Sequence, residues 1–314
     1  MSLTFGKVRS KELPQLYEML WRSYEYHFKH SPKDFFKPFV ENNVSFKNEN
    51  FFVMRDGEKI VSAVQVFLLE VYFDKRVMKM GGIGQVATLP EYRGKGLSKI
   101  LLKKSIEYMK DLKIDYSLLF AGPVKLYEQF GWKELPIKNC VAKITKKEFK
   151  KNRNFKIKKF KDSFKYDVFE IHNNYIKNFN NCIIRNPLYW EKYFWGFKGL
   201  GTETYVLKNN EKKIVSYITF KKEKKSLTIY EYGSLEFGNL DFAEALINFA
   251  IKKKRVKEIY VPYINSYYEI YRVLNKNFNC EINNVSGFMV RNINSKIDWT
   301  KAVKRVLFFL GDSF

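Results

Sequence analysis

The pattern of apolar and polar positions predicts alternating strands and helices along the first half of the chain. Strands are predicted where apolar residues alternate or run together, at residues 3–8, 51–55, 61–73, 77–88 and 116–121. Apolar residues at i, i+3, i+4 and i+7 predict helices over residues 10–30 and 97–112. A short helix ending at Gly131 and two closing strands, at 132–136 and 139–144, complete this half.

A similar order of elements returns after a charged break at residues 146–153. Strands are predicted at 155–160, 204–207, 214–220, 226–232, 258–261 and 285–291. Helices are predicted at 163–178, 242–254 (capped by Asp241), 266–274 and 299–310. We therefore predict two related domains, residues 1–147 and 155–293, followed by a helical tail at residues 294–314.

One stretch, Ile83 to Ser98, joins a strand, a glycine loop and a helix in the sequence IGQVATLPEYRGKGLS. The backbone N–H groups of such a loop and the partial positive charge of a helix N-terminus favour an anion. Glycines at 81, 82 and 84 in the preceding strand indicate a bulge or the close approach of a ligand. The second half has no such loop, so we predict one working site in two related folds.

Composition predicts a soluble, cytoplasmic protein. The chain has 314 residues, 46% hydrophobic and 18% aromatic, which is enough for one large or two medium domains. No apolar run reaches the ~20 residues needed to cross a bilayer, and the N-terminus lacks the pattern of a signal peptide. Cys140, Cys182 and Cys280 are far apart and show no CxxC spacing, which predicts buried thiols in a reducing compartment.

The net charge of +24 has three interpretations. A basic surface could bind nucleic acid, it could attract an anionic cofactor or membrane surface, or it could reflect a Lys/Asn/Ile-rich composition without a specific partner. The lysines are spread over the whole chain rather than concentrated in one arm, which favours the third interpretation.

Histidine and aromatic clusters give little indication of other chemistry. The HxxH pair His27 and His30 lacks a third acidic or thiol ligand nearby, so no metal site is predicted. His172 lies on the apolar face of a predicted helix and is expected in the core. The aromatic residues at 185–197 alternate with lysines and could stack on bases, but their helical spacing favours core or domain interface.

Three motifs resemble the GNAT N-acetyltransferase superfamily: VAT at 86–88, RGKGLS at 93–98 and YEQFGW at 127–132. The loop fits the pattern Q/R-x-x-G-x-G/A of the superfamily except at Ser98, where a small serine still leaves the backbone accessible. The resemblance implies that acetyl-CoA is the acetyl donor. It further implies that the donor is bound by the following residues: Val86, Ala87, Thr88, Arg93, Gly94, Lys95, Gly96, Leu97 and Ser98.

The whole chain more narrowly resembles the Eis-like acetyltransferases, which have two tandem GNAT-like domains, the first of which binds acetyl-CoA. The order of elements, RNPLYW at 185–190 and SGFMVRNIN at 286–294 carry this resemblance. The expected fold class is α/β (α+β), with each domain a mixed, mostly antiparallel sheet flanked by helices. Members of that group usually add a sterol-carrier-type domain, which we expect this chain to lack because it ends at Phe314.

The resemblance implies an N-acetyltransferase in which a primary amine, on a small molecule or a protein lysine, attacks the thioester directly. Tyr127 matches the general acid of the family, and its reference pKa near 10 suits protonation of a thiolate. A backbone N–H near Val86 is expected to stabilise the oxyanion. The strand that begins at Tyr116 must separate from the strand of Val86 to admit the pantetheine arm.

No residue is clearly indicated as the general base. Glu70 and Asp115 have suitable side chains, related enzymes are thought to use the C-terminal carboxylate (here Phe314), and water relays would also suffice. A polycationic acceptor would need an acidic pocket, and the available carboxylates are Asp34, Glu41, Glu70, Glu203 and Glu231.

Two other functions remain open at this point. A tandem-GNAT aminoacyl transferase that draws on charged tRNA would explain the basic character and predicts steeply salt-dependent binding. A non-catalytic CoA-binding regulatory protein is the other. The intact RGKGLS loop favours acetyl-CoA. Neither a nucleic acid, a membrane nor a metal is an expected partner, and a homo-oligomer is left open.

Overall fold

The computed structural model describes residues 3–24, 31, 47–145, 155–191 and 201–309, which form two β-sheets with helices packed on them. Each sheet contains one parallel strand pair and is otherwise antiparallel. The predicted fold class, two mixed and mostly antiparallel sheets flanked by helices, is confirmed.

The first sheet has eight strands in the order β1-β2-β3-β4-β5-β15-β6, with β9 paired to β3. Their bounds are β1 Leu3–Lys7, β2 Phe51–Asp56, β3 Lys59–Phe73, β4 Arg76–Thr88, β5 Tyr116–Phe120, β6 Lys133–Glu134, β9 Cys182–Ile183 and β15 Phe288–Asn292. Three helices accompany this sheet: α1 Leu13–Ser23, α2 Leu97–Asp111 and α3 Val124–Glu128. Helix α2 is the crossover between the parallel strands β4 and β5, as its apolar face predicts.

The second sheet has seven strands in the order β14-β7-β13-β12-β11-β10-β8. Their bounds are β7 Ile137–Lys143, β8 Lys156–Lys159, β10 Glu203–Lys208, β11 Ile214–Glu223, β12 Ser226–Ser234, β13 Glu258–Ile264 and β14 Asn279–Val285. The remaining α-helices with bounds are α4 Lys165–Ile176, α5 Leu240–Lys254, α6 Glu269–Asn277 and α7 Trp299–Ala302. Helix α5 is the crossover between the parallel strands β12 and β13, which repeats the arrangement around α2.

The two sheets exchange strands. Strand β7, predicted at 139–144 to close the first sheet, pairs with β13 and β14 in the second. Strand β15 instead lies between β5 and β6 of the first sheet. The prediction for residues 139–144 is therefore wrong in its partner, although correct as a strand. The predicted boundary near residue 147 divides the sequence into two halves. The exchange of β7 and β15 means that each half contributes a strand to the sheet of the other.

Glu134 links the two places where the chain passes between the sheets, after β6 and before β15. Its Oε1 accepts hydrogen bonds from the Gly287 N–H (2.5 Å) and the Ser286 hydroxyl (2.8 Å). These bonds lower the pKa of the Glu134 carboxyl. Gly287 has φ +87°, and a Cβ at this position would collide with the carbonyl oxygen of Ala121. The turn that carries the chain from the second sheet to the first therefore requires glycine.

Three further predictions differ from the structure. Strand β14 is not foreseen, because its exposed polar sequence NCEINNV lacks an apolar alternation. The N-cap of α5 is Asn239, whose side chain accepts from the Asp241 N–H, rather than Asp241 itself. The sequence predicts three buried cysteines, and Cys140 and Cys182 are buried, whereas Cys280 is only partly buried on β14, which pairs with the strand of Cys140.

The tail is helical over a shorter stretch than predicted. Helix α7 and a 3₁₀ turn end at Arg305, and the chain then follows an extended path to Phe309. Val306 forms a parallel bridge with Asn180, and the Leu307 N–H donates to the Asn180 carbonyl (3.1 Å). These bonds to another segment replace the helical ones that the local pattern predicts.

A buried ion pair secures the edge of the first sheet. The Arg55 guanidinium donates to both carboxylate oxygens of Glu12 (2.8 Å each) and to the Lys7 carbonyl (2.9 Å). Both side chains are almost fully buried. The hydrogen bond from Arg55 holds the pKa of Glu12 below its ordinary value.

We expect Arg55→Ala to lower the free energy of unfolding by about 3 kcal/mol, because it leaves a buried carboxylate without its cation. Urea unfolding at neutral pH measures this, and the exposed Lys59→Ala is the control. Since the pKa of Glu12 is depressed, the stabilisation is present above the carboxyl's ordinary pKa and is lost as pH falls through the folded-state value. A difference between variant and wild type that does not shrink in acid would contradict this assignment.

The strand exchange predicts that residues 1–147 do not fold alone, because β15 is missing between β5 and β6. We expect this fragment to lack a cooperative thermal transition. Coexpressed with residues 155–314, it should form a 1:1 complex, measured by size exclusion with light scattering. A monomeric fragment 1–147 that unfolds cooperatively would refute the prediction.

Candidate donor and acyl-transfer site

The parallel strands β4 and β5 separate at one end. They pair over four residues, from Met80 opposite Tyr116 to Ile83 opposite Leu119. Beyond Ile83, β4 continues to Thr88 without a described partner on that side, while β5 stays paired with β15 up to Phe120. The separation that the sequence predicts is thus confirmed, and it leaves one edge of β4 open to a ligand.

A β-bulge lies in the open part of β4. The register with β3 shifts between Ala63 and Gln65, and Gln85 adopts φ +50°. The bulge is therefore at a glutamine, directly after the three glycines that indicate it in the sequence. Gly81 has a different role, because a Cβ there would collide with the Met109 sulfur of α2. A bulge turns consecutive N–H groups out of the regular ladder, which suits the stabilisation of a developing oxyanion near Val86.

The loop after β4 has backbone N–H groups arranged as an anion site would need them. Gly94 has φ +80° and Gly96 has φ +74°, and no atom lies within 4 Å of the Cβ that either residue would carry. Within the described ranges, no backbone carbonyl accepts from the N–H groups of Gly94, Gly96, Leu97 or Ser98. These groups stand at the N-terminus of α2, where a phosphate is favoured. A diphosphate fits the donor set and the open space.

Side chains of the loop and of the end of β4 are held in place by packing and hydrogen bonds. The Leu97 side chain is buried in the hydrophobic core between the first sheet and helices α1 and α2, so only its backbone N–H is available to a ligand. Tyr92 is buried as well, and its hydroxyl donates to Asp56 (2.9 Å). Thr88 is held through its hydroxyl, 2.8 Å from that of Ser62, and the Ala87 carbonyl accepts from the same serine (2.8 Å).

The basic side chains of the loop are engaged within the protein. The Arg93 guanidinium donates to the carbonyls of Ser23 (2.8 Å) and Thr88 (3.4 Å). The Lys95 ammonium lies 4.7 Å from the centre of the Tyr92 ring. Arg93 therefore positions the loop against α1, and the sequence pattern gives no sign of this role.

The last residue of the α1 region contacts the open strand. The Tyr24 hydroxyl donates to the Val86 carbonyl at 3.3 Å. Sequence analysis did not identify Tyr24, because a tyrosine at a helix end has no distinguishing signal. Its significance depends on the tertiary placement of α1 beside β4.

Tyr127 lies in α3 and is 6% exposed. Its ring packs edge-on against Trp132, with ring centres 6.3 Å apart. Burial raises the pKa of Tyr127 to about 12. Tyr127 belongs to the hydrophobic core formed by residues of β2, β3, β4, α1 and α2, and the partly buried Val86 packs against that core.

The two candidate bases lie at the other end of the strands. Glu70 is opposite Lys79 on β4, and Asp115 precedes β5 and accepts from the Lys79 N–H (2.8 Å). Val86 is seven residues beyond Lys79 along β4, which at about 3.3 Å per residue is more than 20 Å. Neither carboxylate reaches the open edge. Phe314, His27, His30, Asp34 and Glu41 lie outside the described residues.

The two carboxylates of the second domain that could form an acidic pocket are both paired with basic side chains. Glu231 is buried and forms a bidentate pair with Arg185 (2.7 and 3.0 Å), while Glu203 contacts the ammonium of Lys254. His172 is fully buried, as predicted, and its Nδ1 lies 2.9 Å from the Tyr217 hydroxyl. Burial, and then the nearby Arg185, lowers the pKa of His172 to about 4.

The second domain repeats the strand separation, but a carboxylate of the chain itself bonds to a backbone N–H beside it. Strands β12 and β13 pair over three residues from Ser226 opposite Glu258, and then diverge. At the start of α5, the Gly238 N–H donates to the buried Glu269 carboxylate (2.5 Å), which also accepts from the Tyr175 hydroxyl. An internal carboxylate thus occupies a backbone donor just before the helix.

The described residues contain no group of three or more His, Cys, Asp or Glu that could hold a metal ion. No helix among them is long and apolar enough to cross a membrane.

Comparison with known proteins agrees with this geometry. Residues 4–135 match the family model described as an acetyltransferase (GNAT) domain. No sequence among the curated proteins matches the chain. Among solved structures, an Enterococcus faecalis protein described as a probable N-acyltransferase has a TM-score of 0.77 at 17% identity, covering 94% of this chain and 73% of its own.

Two more solved structures are similar. A GCN5-related N-acetyltransferase from Kribbella flavida has a TM-score of 0.74 at 14% identity, covering 93% of this chain and 71% of its own. Eis1 from Mycobacterium abscessus has a TM-score of 0.65 at 9% identity, with 93% and 74% covered. At these identities the likeness concerns the fold, which is the tandem GNAT-like arrangement in each case. Residues 4–135 therefore carry a GNAT acetyltransferase domain, as the family model describes it, and the chain as a whole has a tandem GNAT-like fold.

Proposed function

We propose that the protein is an N-acetyltransferase that moves the acetyl group of acetyl-CoA to a primary amine by direct attack on the thioester. The observation that carries this proposal is the open edge of β4, which leads directly into the glycine loop and the N-terminus of α2. A strand edge followed by an anion cradle suits a long donor that has amides at one end and a diphosphate at the other.

The residues of the loop and strand divide the binding of the donor. N–H groups from Gly94 to Ser98 hold the diphosphate, with Arg93 setting the loop against α1 and Lys95 adding charge. Backbone groups of Val86, Ala87 and Thr88 bond the pantetheine arm as a neighbouring strand would. This division explains why the side chains of Leu97 and Thr88 can be engaged in packing and hydrogen bonds.

Tyr127 protonates the leaving thiolate in this proposal. Its pKa of about 12 keeps the phenol protonated throughout the neutral range. Full proton transfer to a thiolate of reference pKa about 8.5 is uphill by more than 3 units, at 1.36 kcal/mol per unit. Tyr127 therefore acts first as a hydrogen-bond donor to the sulfur as negative charge develops there. An N–H of the bulge at Gln85 and Val86 stabilises the oxyanion.

The amine belongs to a small molecule or a protein lysine, and a water relay takes its proton, since Glu70 and Asp115 lie at the far end of the strands. One donor binds per chain, because Glu269 closes the corresponding position of the second domain. The family resemblance supports a cytoplasmic location. An aminoacyl transferase would bind charged tRNA, and a regulatory protein would bind CoA. In neither case would free thiol be released from acetyl-CoA.

The direct test is release of free thiol from acetyl-CoA with a panel of amines, aminoglycosides and basic peptides. We expect turnover with at least one acceptor class. Tyr127→Phe should lower kcat about 10²-fold with little change in the KM for acetyl-CoA, because it removes a donor to the leaving sulfur. Wild-type kcat should show no limb from Tyr127 below pH 11, since its pKa is raised to about 12.

Tyr166→Phe is the matched control, because that tyrosine is 73% exposed in the second domain. Unchanged kcat in Tyr127→Phe, with an unchanged thermal midpoint, would remove the proposed role of Tyr127. Absence of both saturable acetyl-CoA binding and thiol release in the wild type would refute the function itself.

Gly96→Val should weaken acetyl-CoA binding at least tenfold in calorimetry, because its side chain enters the open space of the cradle. Gly57→Val is the matched control. Gly57 also has positive φ (+58°) and open space, but it lies in the β2–β3 turn. Equal loss of affinity in both variants would attribute the effect to backbone strain alone and contradict the cradle.

A further inference from the structure

The end of α1 is joined to the donor site by three consecutive residues. The Arg22 guanidinium contacts the Glu91 carboxylate (3.3 Å), the Ser23 carbonyl accepts from Arg93 (2.8 Å), and the Tyr24 hydroxyl donates to the Val86 carbonyl (3.3 Å). Glu91 and Arg93 belong to the glycine loop region, while Val86 lies on the open edge of β4.

The position of Tyr24 is set by its own helix. The Tyr24 N–H donates to the Leu20 carbonyl (3.0 Å) and closes the last turn of α1. The bond from Arg93 to Ser23 then fixes this turn relative to the loop. The side chain of Tyr24 is partly exposed, at 36%, so its hydroxyl can exchange Val86 for water without moving the helix.

Val86 lies in the part of β4 beyond Ile83 that is not paired with β5. An open strand edge leaves backbone groups unsatisfied, and such edges attract other strands. The Tyr24 hydroxyl satisfies the Val86 carbonyl. A pantetheine amide that binds β4 as a strand would donate to a carbonyl on this same edge.

We propose that the Tyr24 hydroxyl and the pantetheine arm compete for the Val86 carbonyl, so that donor binding releases the end of α1 from the strand. This inference rests on the proposed function, since it assumes a strand-like donor on β4. It adds a consequence that the donor site alone does not have. Tyr24 lowers donor affinity, and removal of its hydroxyl improves binding.

Calorimetry of Tyr24→Phe against two ligands tests the competition. We expect the Kd for acetyl-CoA to fall about fivefold, the value of one net hydrogen bond. Adenosine 3′,5′-bisphosphate, which lacks the pantetheine arm, should bind the variant and the wild type equally. Tyr166→Phe, an exposed tyrosine in the second domain, should change neither Kd.

Each other outcome has a defined meaning. Unchanged or weaker acetyl-CoA binding by a folded Tyr24→Phe overturns the competition, as does an equal gain for the nucleotide without pantetheine. If the wild type itself does not bind acetyl-CoA, the proposed function fails together with this inference. If it binds but Tyr24→Phe behaves as wild type, only the inference fails.

Discussion

The divergence of β4 from β5 beyond Ile83 and Leu119 is the constraint on which the rest of the first domain depends. It leaves strand edges without ladder partners, which a sheet does not tolerate unless something else supports them. Beyond this point β5 remains in the sheet because β15, which follows the second sheet in the chain, pairs with it as far as Phe120. Aromatic rings of Tyr263 and Phe308 also pack around Phe120. Strand β15 thus keeps β5 in the sheet where β4 and β5 diverge. The proposed chemistry depends on this divergence.

The second domain shows what happens when the same topology is closed. Its parallel pair β12–β13 also diverges after a few residues, and a helix follows β12 as α2 follows β4. The N–H of Gly238, just before α5, is bonded to Glu269, a carboxylate supplied by the chain. Burial raises the pKa of Glu269, and hydrogen bonds from Tyr175 and Gly238 oppose that rise. One internal carboxylate therefore distinguishes a filled helix start from an open one on similar folds.

Burial also determines the chemistry available to Tyr127. An exposed phenol would lose its proton near pH 10, whereas burial raises the pKa of Tyr127 to about 12. The environment that keeps the proton in place makes complete transfer to sulfur less favourable. In the proposed mechanism, a hydrogen bond that strengthens as charge develops at the sulfur reconciles the two effects.

The sequence alone determined the local features of this protein. Glycines at 94 and 96 stand where backbone φ is positive, and the periods of apolar residues locate most of the described strands and helices. These are consequences of short-range sterics and of burial on one face. The tertiary structure decided which elements meet. No local pattern shows that β7 and β15 exchange sheets, that Asp115 lies at the wrong end of β5, or that Arg93 and Tyr24 join α1 to the donor site. Strand partners and side-chain contacts of this kind join residues tens to hundreds of positions apart, and only the packed chain brings them together.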